Sequence, residues 1–165
     1  MSSNSGEAPA TDAVVRVIER RACDRRPIDL HDPDERLRLR AFIWADQPER
    51  LERLDIAIAM ALAHEVKVEA ADAPVWAQQA APREGAATVI YHSVFWQYVP
   101  PAGQAALSAA IEAHGAAATA QAPFAWLRME PFGQAFEVRL TLWPGGQTRT
   151  LAQVHPHGAW VKWLL

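Results

Sequence analysis

The stretch Ala86-Ala87-Thr88-Val89-Ile90-Tyr91-His92-Ser93-Val94-Phe95-Trp96-Gln97-Tyr98-Val99-Pro100-Pro101 decides the fold. Its first half is a β-branched, apolar run, bounded by Pro82 and Gly85 upstream and by the Pro-Pro pair downstream. A run without polar alternation predicts a strand buried on both faces, as inside a parallel sheet. It closes on a polar group, His92, Ser93, Gln97 and Tyr98, where a central strand would reach the carboxyl edge of its sheet. Ligands of open α/β sheets sit at that edge.

Upstream, Val66 to Ala70 alternates and predicts a short strand, followed by Ala71-Asp72-Ala73-Pro74 and a short helix over Val75 to Ala81. Gln47-Pro48-Glu49 opens a longer helix ending near His64, with Leu51, Leu54, Ile58, Ala61 and Leu62 on one stripe. Asp32-Pro33-Asp34-Glu35 opens another, running to about Trp44, with Asp32 as N-cap and Pro33 in the first turn. Asp12 to Glu19 carries Val14, Val15, Val17 and Ile18 and predicts a strand, with a short helix as second choice. Residues 1–11 are small and polar and predict a disordered tail.

Downstream, Ala102 to His114 predicts an amphipathic helix stopped by Gly115. Phe124 to Glu130 predicts a strand ended by Pro131. Phe136 to Trp143 alternates strictly, as a half-buried strand does. Pro144-Gly145-Gly146 turns the chain, and 147–154 and 158–165 give one or two closing strands. Helices alternating with strands predict an α/β fold. The sheet is expected to be mostly parallel, with helices on both faces and an antiparallel C-terminal edge. Residues 12–165 are expected to form a single domain.

Composition bounds the function. The chain has 165 residues, half of them apolar and 21% charged, enough for a soluble domain with a sizeable core. A net charge of −3 argues against a nucleic-acid footprint, which needs a basic balance. One cysteine, Cys23, cannot form an internal disulfide, so a reducing cytoplasm is the expected setting. No apolar run is long enough to span a bilayer, and the N-terminus lacks a signal-peptide pattern, so no membrane partner is expected. The seven tryptophans are scattered through every segment, which suits packing.

Several phrases carry a resemblance. They are Arg21-Ala22-Cys23-Asp24 with Pro27-Ile28-Asp29, Leu39-Arg40-Ala41-Phe42-Ile43-Trp44-Ala45-Asp46-Gln47 with Arg50, His92-Ser93 with Gln97-Tyr98-Val99-Pro100, and His157-Gly158 with Trp163. In this order they resemble the bacterial family called domain of unknown function 2332, from about Val14 onward and over what is expected to be the family's C-terminal half. The resemblance implies a class I methyltransferase-like (Rossmann-like) architecture with S-adenosylmethionine as cofactor. It also implies a longer protein whose first half carries a Gly-rich phrase of the form Glu-x-Gly-x-Ser-x-Gly-Leu-Asn. This chain has no such phrase. A glycine loop lets backbone approach a cofactor closely, so the expected architecture is incomplete.

The candidate site residues follow. In methyltransferase-like sheets an acid after the strand, here Asp72, sits near the adenine; the alternative is an N-cap for the next helix. Asp24 and Asp29 are candidate ribose-binding carboxylates, or else loop acids paired with Arg21, Arg25 or Arg26. His92, Ser93, Gln97 and Tyr98 would line the same small-molecule site, or else bond ordinarily at the strand end. His92 and Ser93 are adjacent on a strand and point to opposite faces, which excludes a simple nucleophile–base pair. His155 and His157 flank Pro156 with no third ligand at a known spacing, so no metal is expected. The functional classes in play are a partial methyltransferase-like domain, a binding module that forms a homo-oligomer through an exposed sheet edge, and an enzyme whose cofactor loop comes from a partner chain.

Overall fold

Asp32 caps the first helix as its sequence predicts: its Oδ1 accepts the backbone N–H of Asp34 at 2.9 Å. The helix α1 covers Pro33–Arg40, with acids in its first turn and arginines in its last, each favoured by the helix dipole. The computed structural model containing it describes residues 8–133 and 135–164. These fall into two units, one formed by Val17–Ala73 and the other by the described residues before and after it. The expected tail over residues 1–11 lies outside the described residues for its first seven positions.

In the first unit, β1 (Ala22–Asp24) and β2 (Val68–Ala70) form a two-stranded parallel sheet. Between them run α1 and α2 (Pro48–Ala63). Ile58, on the stripe of α2, is its buried residue. Asp12 to Glu19 corrects the sequence reading: it forms no strand, and Val14 and Val15 are exposed. The first strand begins only at Ala22, where β2 offers a partner.

The second unit holds β3 (Thr88–Ser93), α4 (Pro101–Ala116), β4 (Phe124–Phe132), β5 (Ala135–Trp143), β6 (Gln147–Val154) and β7 (Val161–Trp163). The short helix α3 (Ala73–Ala77) begins at the boundary. The five strands lie in the order β3-β4-β5-β6-β7. Only β3 and β4 are parallel; the remaining pairs are antiparallel. The mostly parallel sheet expected from sequence is therefore a mostly antiparallel one. The expected central strand, β3, is an edge strand. Its burial alternates: Val89 and Tyr91 are 54% and 60% exposed, while Ile90 and His92 face neighbours on β4. Tyr91 supplies the outward polar group that the apolar run conceals.

The core of this unit is built where α4 meets the sheet. Phe124 and Ile111 are fully buried, with Leu107 beside them in burial. Gly115 does not end α4; it lies within it. The ring of Trp143 occupies the space a side chain would take, since an added Cβ would lie 2.3 Å from Trp143 Cε2. The Phe124 ring packs against both His114 and Trp143. Pro131 likewise does not end β4, which runs on to Phe132. The pairing with β3 stops at Met129, so Pro131 needs no donor on that side. Side chains alternate along a strand. Phe124, Trp126, Arg128 and Glu130 therefore share the face that α4 covers at the Phe124 end.

Candidate functional site

The chain leaves β3 through a strained turn. Val94 has a φ of 49°, in the left-handed region that a β-branched residue rarely adopts. Its N–H is held by Met129 O at 2.9 Å. The turn aims the next N–H, that of Phe95, at the Glu130 carboxylate, 3.0 Å from Oε1 and 3.2 Å from Oε2. Strain of this kind, costing about 1–3 kcal/mol, persists where surrounding bonds over-determine it.

His92 sits at the centre of those bonds. Trp126 Nε1 lies 2.9 Å from His92 Nε2, and His92 Nδ1 lies 2.6 Å from Glu130 Oε1. An indole N–H only donates. His92 Nε2 is therefore the acceptor, and its proton resides on Nδ1, which donates to Glu130. The ring stacks on Trp96 at 5.6 Å between centroids and meets Phe95 edge-on at 5.5 Å. Burial lowers the proton affinity of His92; Glu130 opposes that in part and Arg128 adds to it. The imidazole is neutral and both its nitrogens are committed. It is a clamp on the turn after β3, not a free base.

Beside this cluster a cavity of about 230 Å³ opens on the same face of the sheet. Trp96, Trp126 and Phe132 give it aromatic walls, and Arg128, Glu130, Glu137 and Arg139 give it charge. The strand alternation explains the set. Arg128 and Arg139 are direct partners across β4 and β5, as are Glu130 and Glu137.

The expected residues divide between the two units. In the first, Asp24 ends β1 and Asp72 lies just past β2, at the carboxyl edge of the parallel pair. Asp24 Oδ1 accepts the N–H of Arg26 at 2.7 Å, and Asp29 Oδ1 accepts that of His31 at 2.8 Å. Asp72 faces Arg25 Nε at 3.9 Å. The thiol of Cys23 is pushed up by burial and by Asp24, Glu69 and Asp72. In the second unit, His92 alone of its group joins the cluster. Ser93 alternates to the other face, and Gln97 and Tyr98 sit exposed in the 3-10 turn Trp96–Tyr98. The sequence reading missed Glu130, Trp126 and Arg128, though their period-two spacing on one strand was the available signal.

His155 accepts the N–H of His157 on Nδ1 at 3.1 Å within the turn before β7. Among the described residues no group of three or more His, Cys, Asp or Glu is placed to hold a metal. No helix among them is long and apolar enough to cross a membrane.

No curated protein and no solved structure matches the chain. The match lies at the level of family: residues 1–163 fit the family described as uncharacterised proteins conserved in bacteria, DUF2332. The phrases around Asp24, Trp44, His92 and Trp163 thus lie in a chain that belongs to the DUF2332 family.

Proposed function

We propose that this chain is a partial, methyltransferase-like nucleoside-binding protein that takes S-adenosylmethionine or its demethylated product. One observation carries the reading: the parallel, in-register β1–β2 pair, linked through helices, with Asp24 and Asp72 at its carboxyl edge. That edge is where α/β sheets bind nucleosides. The side chains fit the group. Asp24 has a second carboxylate oxygen beyond the one held by Arg26, and Asp72 faces Arg25 in a long, exposed ion pair. A carboxylate of this kind takes two ribose hydroxyls or an adenine amino group. The chain supplies no glycine-rich loop, so the reading assigns binding to it and leaves methyl transfer to a site completed by another chain.

A second reading rests on the exposed Val89 and Tyr91 of the edge strand β3. Under it the chain is a non-catalytic module that pairs with a second copy through this edge.

Calorimetric titration with S-adenosylhomocysteine tests the first reading. Micromolar binding, lost at least tenfold in the Asp24→Ala, Asp72→Ala double variant, is expected. Absence of heat at millimolar ligand overturns it. A dimer by light scattering in the same sample would then leave the assembly reading standing.

A further inference from the structure

We propose that the cavity beside Trp126 is a binding site for a small organic acid with a flat apolar body, its carboxylate held by Arg128. This site lies in the second unit and does not depend on the nucleoside reading.

The argument begins with what each charged group in the cavity already does. Both oxygens of Glu130 are taken, by His92 and by the N–H of Phe95. Glu137 Oε2 accepts Arg139 Nε at 2.8 Å and the hydroxyl of Thr150 at 3.5 Å. Arg139 therefore has its carboxylate. Arg128 does not. It donates from Nη1 to Thr141 Oγ1 at 3.0 Å, a neutral hydroxyl, and no carboxylate pairs with it among the described residues. It is half-buried, and the cation opposite it across the ladder is Arg139. Burial and then Arg139 lower its proton affinity. A half-buried guanidinium facing a like charge and a hydroxyl lacks a counter-ion. The vacant role at this site is that of an anion.

The walls set what the anion carries. Arg128 Cζ sits 4.1 Å from the centroid of the Trp126 ring, and Arg139 Cζ sits 3.4 Å from that of Phe132. Each guanidinium thus lies over a ring face, and a guanidinium carries five N–H donors, of which Arg128 Nη1 is engaged by Thr141 and Arg139 Nε by Glu137. Carboxylate is the planar anion that matches a guanidinium in a bidentate way. Trp96 and Pro131 complete an apolar wall. The volume, about 230 Å³, suits a molecule built on one ring and is below the range that drug-sized ligands fill. The floor is ordered strand, and His92 holds Trp96 and Trp126 in place from behind. That arrangement needs little reorganisation on binding.

The test uses the full chain with benzoate, its neutral isostere benzamide and its cationic counterpart benzylammonium as probes. Quenching of tryptophan fluorescence and ligand-observed NMR read binding. Benzoate is expected to bind at least tenfold more tightly than either of the others. Arg128→Gln is expected to abolish that preference and Arg128→Lys to retain part of it. The Asp24→Ala, Asp72→Ala variant is expected to bind benzoate unchanged, which separates this site from the nucleoside reading. Equal binding of benzoate and benzamide by the unaltered chain overturns the proposal without any variant. Unchanged benzoate binding by folded Arg128→Gln overturns it as well.

Discussion

The two units of this chain place their charged residues in different settings. In the first, the strands β1 and β2 are three residues each, and Arg21 with Glu69 and Arg40 with Asp55 pair at the surface. Large apolar side chains such as Leu37, Phe42 and Trp44 are exposed there. In the second, the strands β4, β5 and β6 are eight or nine residues long beside a buried core, and the Glu130 carboxylate is held by both His92 and the N–H of Phe95. The difference teaches where positional precision can come from. A carboxylate at the end of a three-residue strand, such as Asp24, is held by the N–H of a residue two positions on. Glu130, on a long strand, is aimed by partners from β3 and the turn beyond it.

The contrast is broken most sharply through the core. Phe124→Ala is expected to cost about 3–5 kcal/mol in denaturant unfolding, because a fully buried ring leaves a cavity. A cost below about 1 kcal/mol would show that α4 does not brace the sheet as described.

The next effect is smaller and concerns the clamp. Trp126→Phe removes the donor to His92 Nε2 and leaves a buried acceptor unsatisfied, at about 1–3 kcal/mol. The same change frees that lone pair, so the His92 titration followed by NMR should move upward. In the unaltered chain His92 takes its proton less readily than an unfolded histidine, near pH 6.5. Below that pH the unfolded state binds the extra proton. The His92 contribution is therefore complete above about pH 6.5 and is lost as pH falls towards the folded midpoint. His92→Gln should remove this slope. A slope that persists in that variant would assign it to other groups.

The smallest effect sharpens the comparison from the other side. Leu37 is 65% exposed on α1, and Leu37→Ala should stay within about 0.5 kcal/mol of the unaltered chain. A core-sized loss would mean that Leu37 is covered in solution.

Helices and the late hairpins were legible from the sequence because their signals are local. Asp32 and Pro33 mark a start, the stripe through Ile58 marks a face, and the alternation from Phe136 marks a half-buried strand. The sheet's direction was not legible, since strand pairing depends on which segments meet. The apolar look of 88–93 concealed an edge strand because Tyr91 and Val89 tolerate water. Gly115 looks like a helix stop because nothing local in the sequence shows that Trp143 lies against it. The position of His92 at the polar end of its strand was legible, while its partners, more than thirty positions away on β4, were not.

The hydrogen-bonded run from Glu130 through His92 to Trp126 also shapes how this sequence can drift over generations. Each member satisfies a polar atom of the next, so any single replacement orphans a buried group. Replacing all three together with apolar side chains removes both of these bonds, but it still strips the N–H of Phe95 of its acceptor. A change at His92 or Trp126 is therefore expected to need a compensating change at the other, whereas an acceptor at position 130 is required by the turn itself.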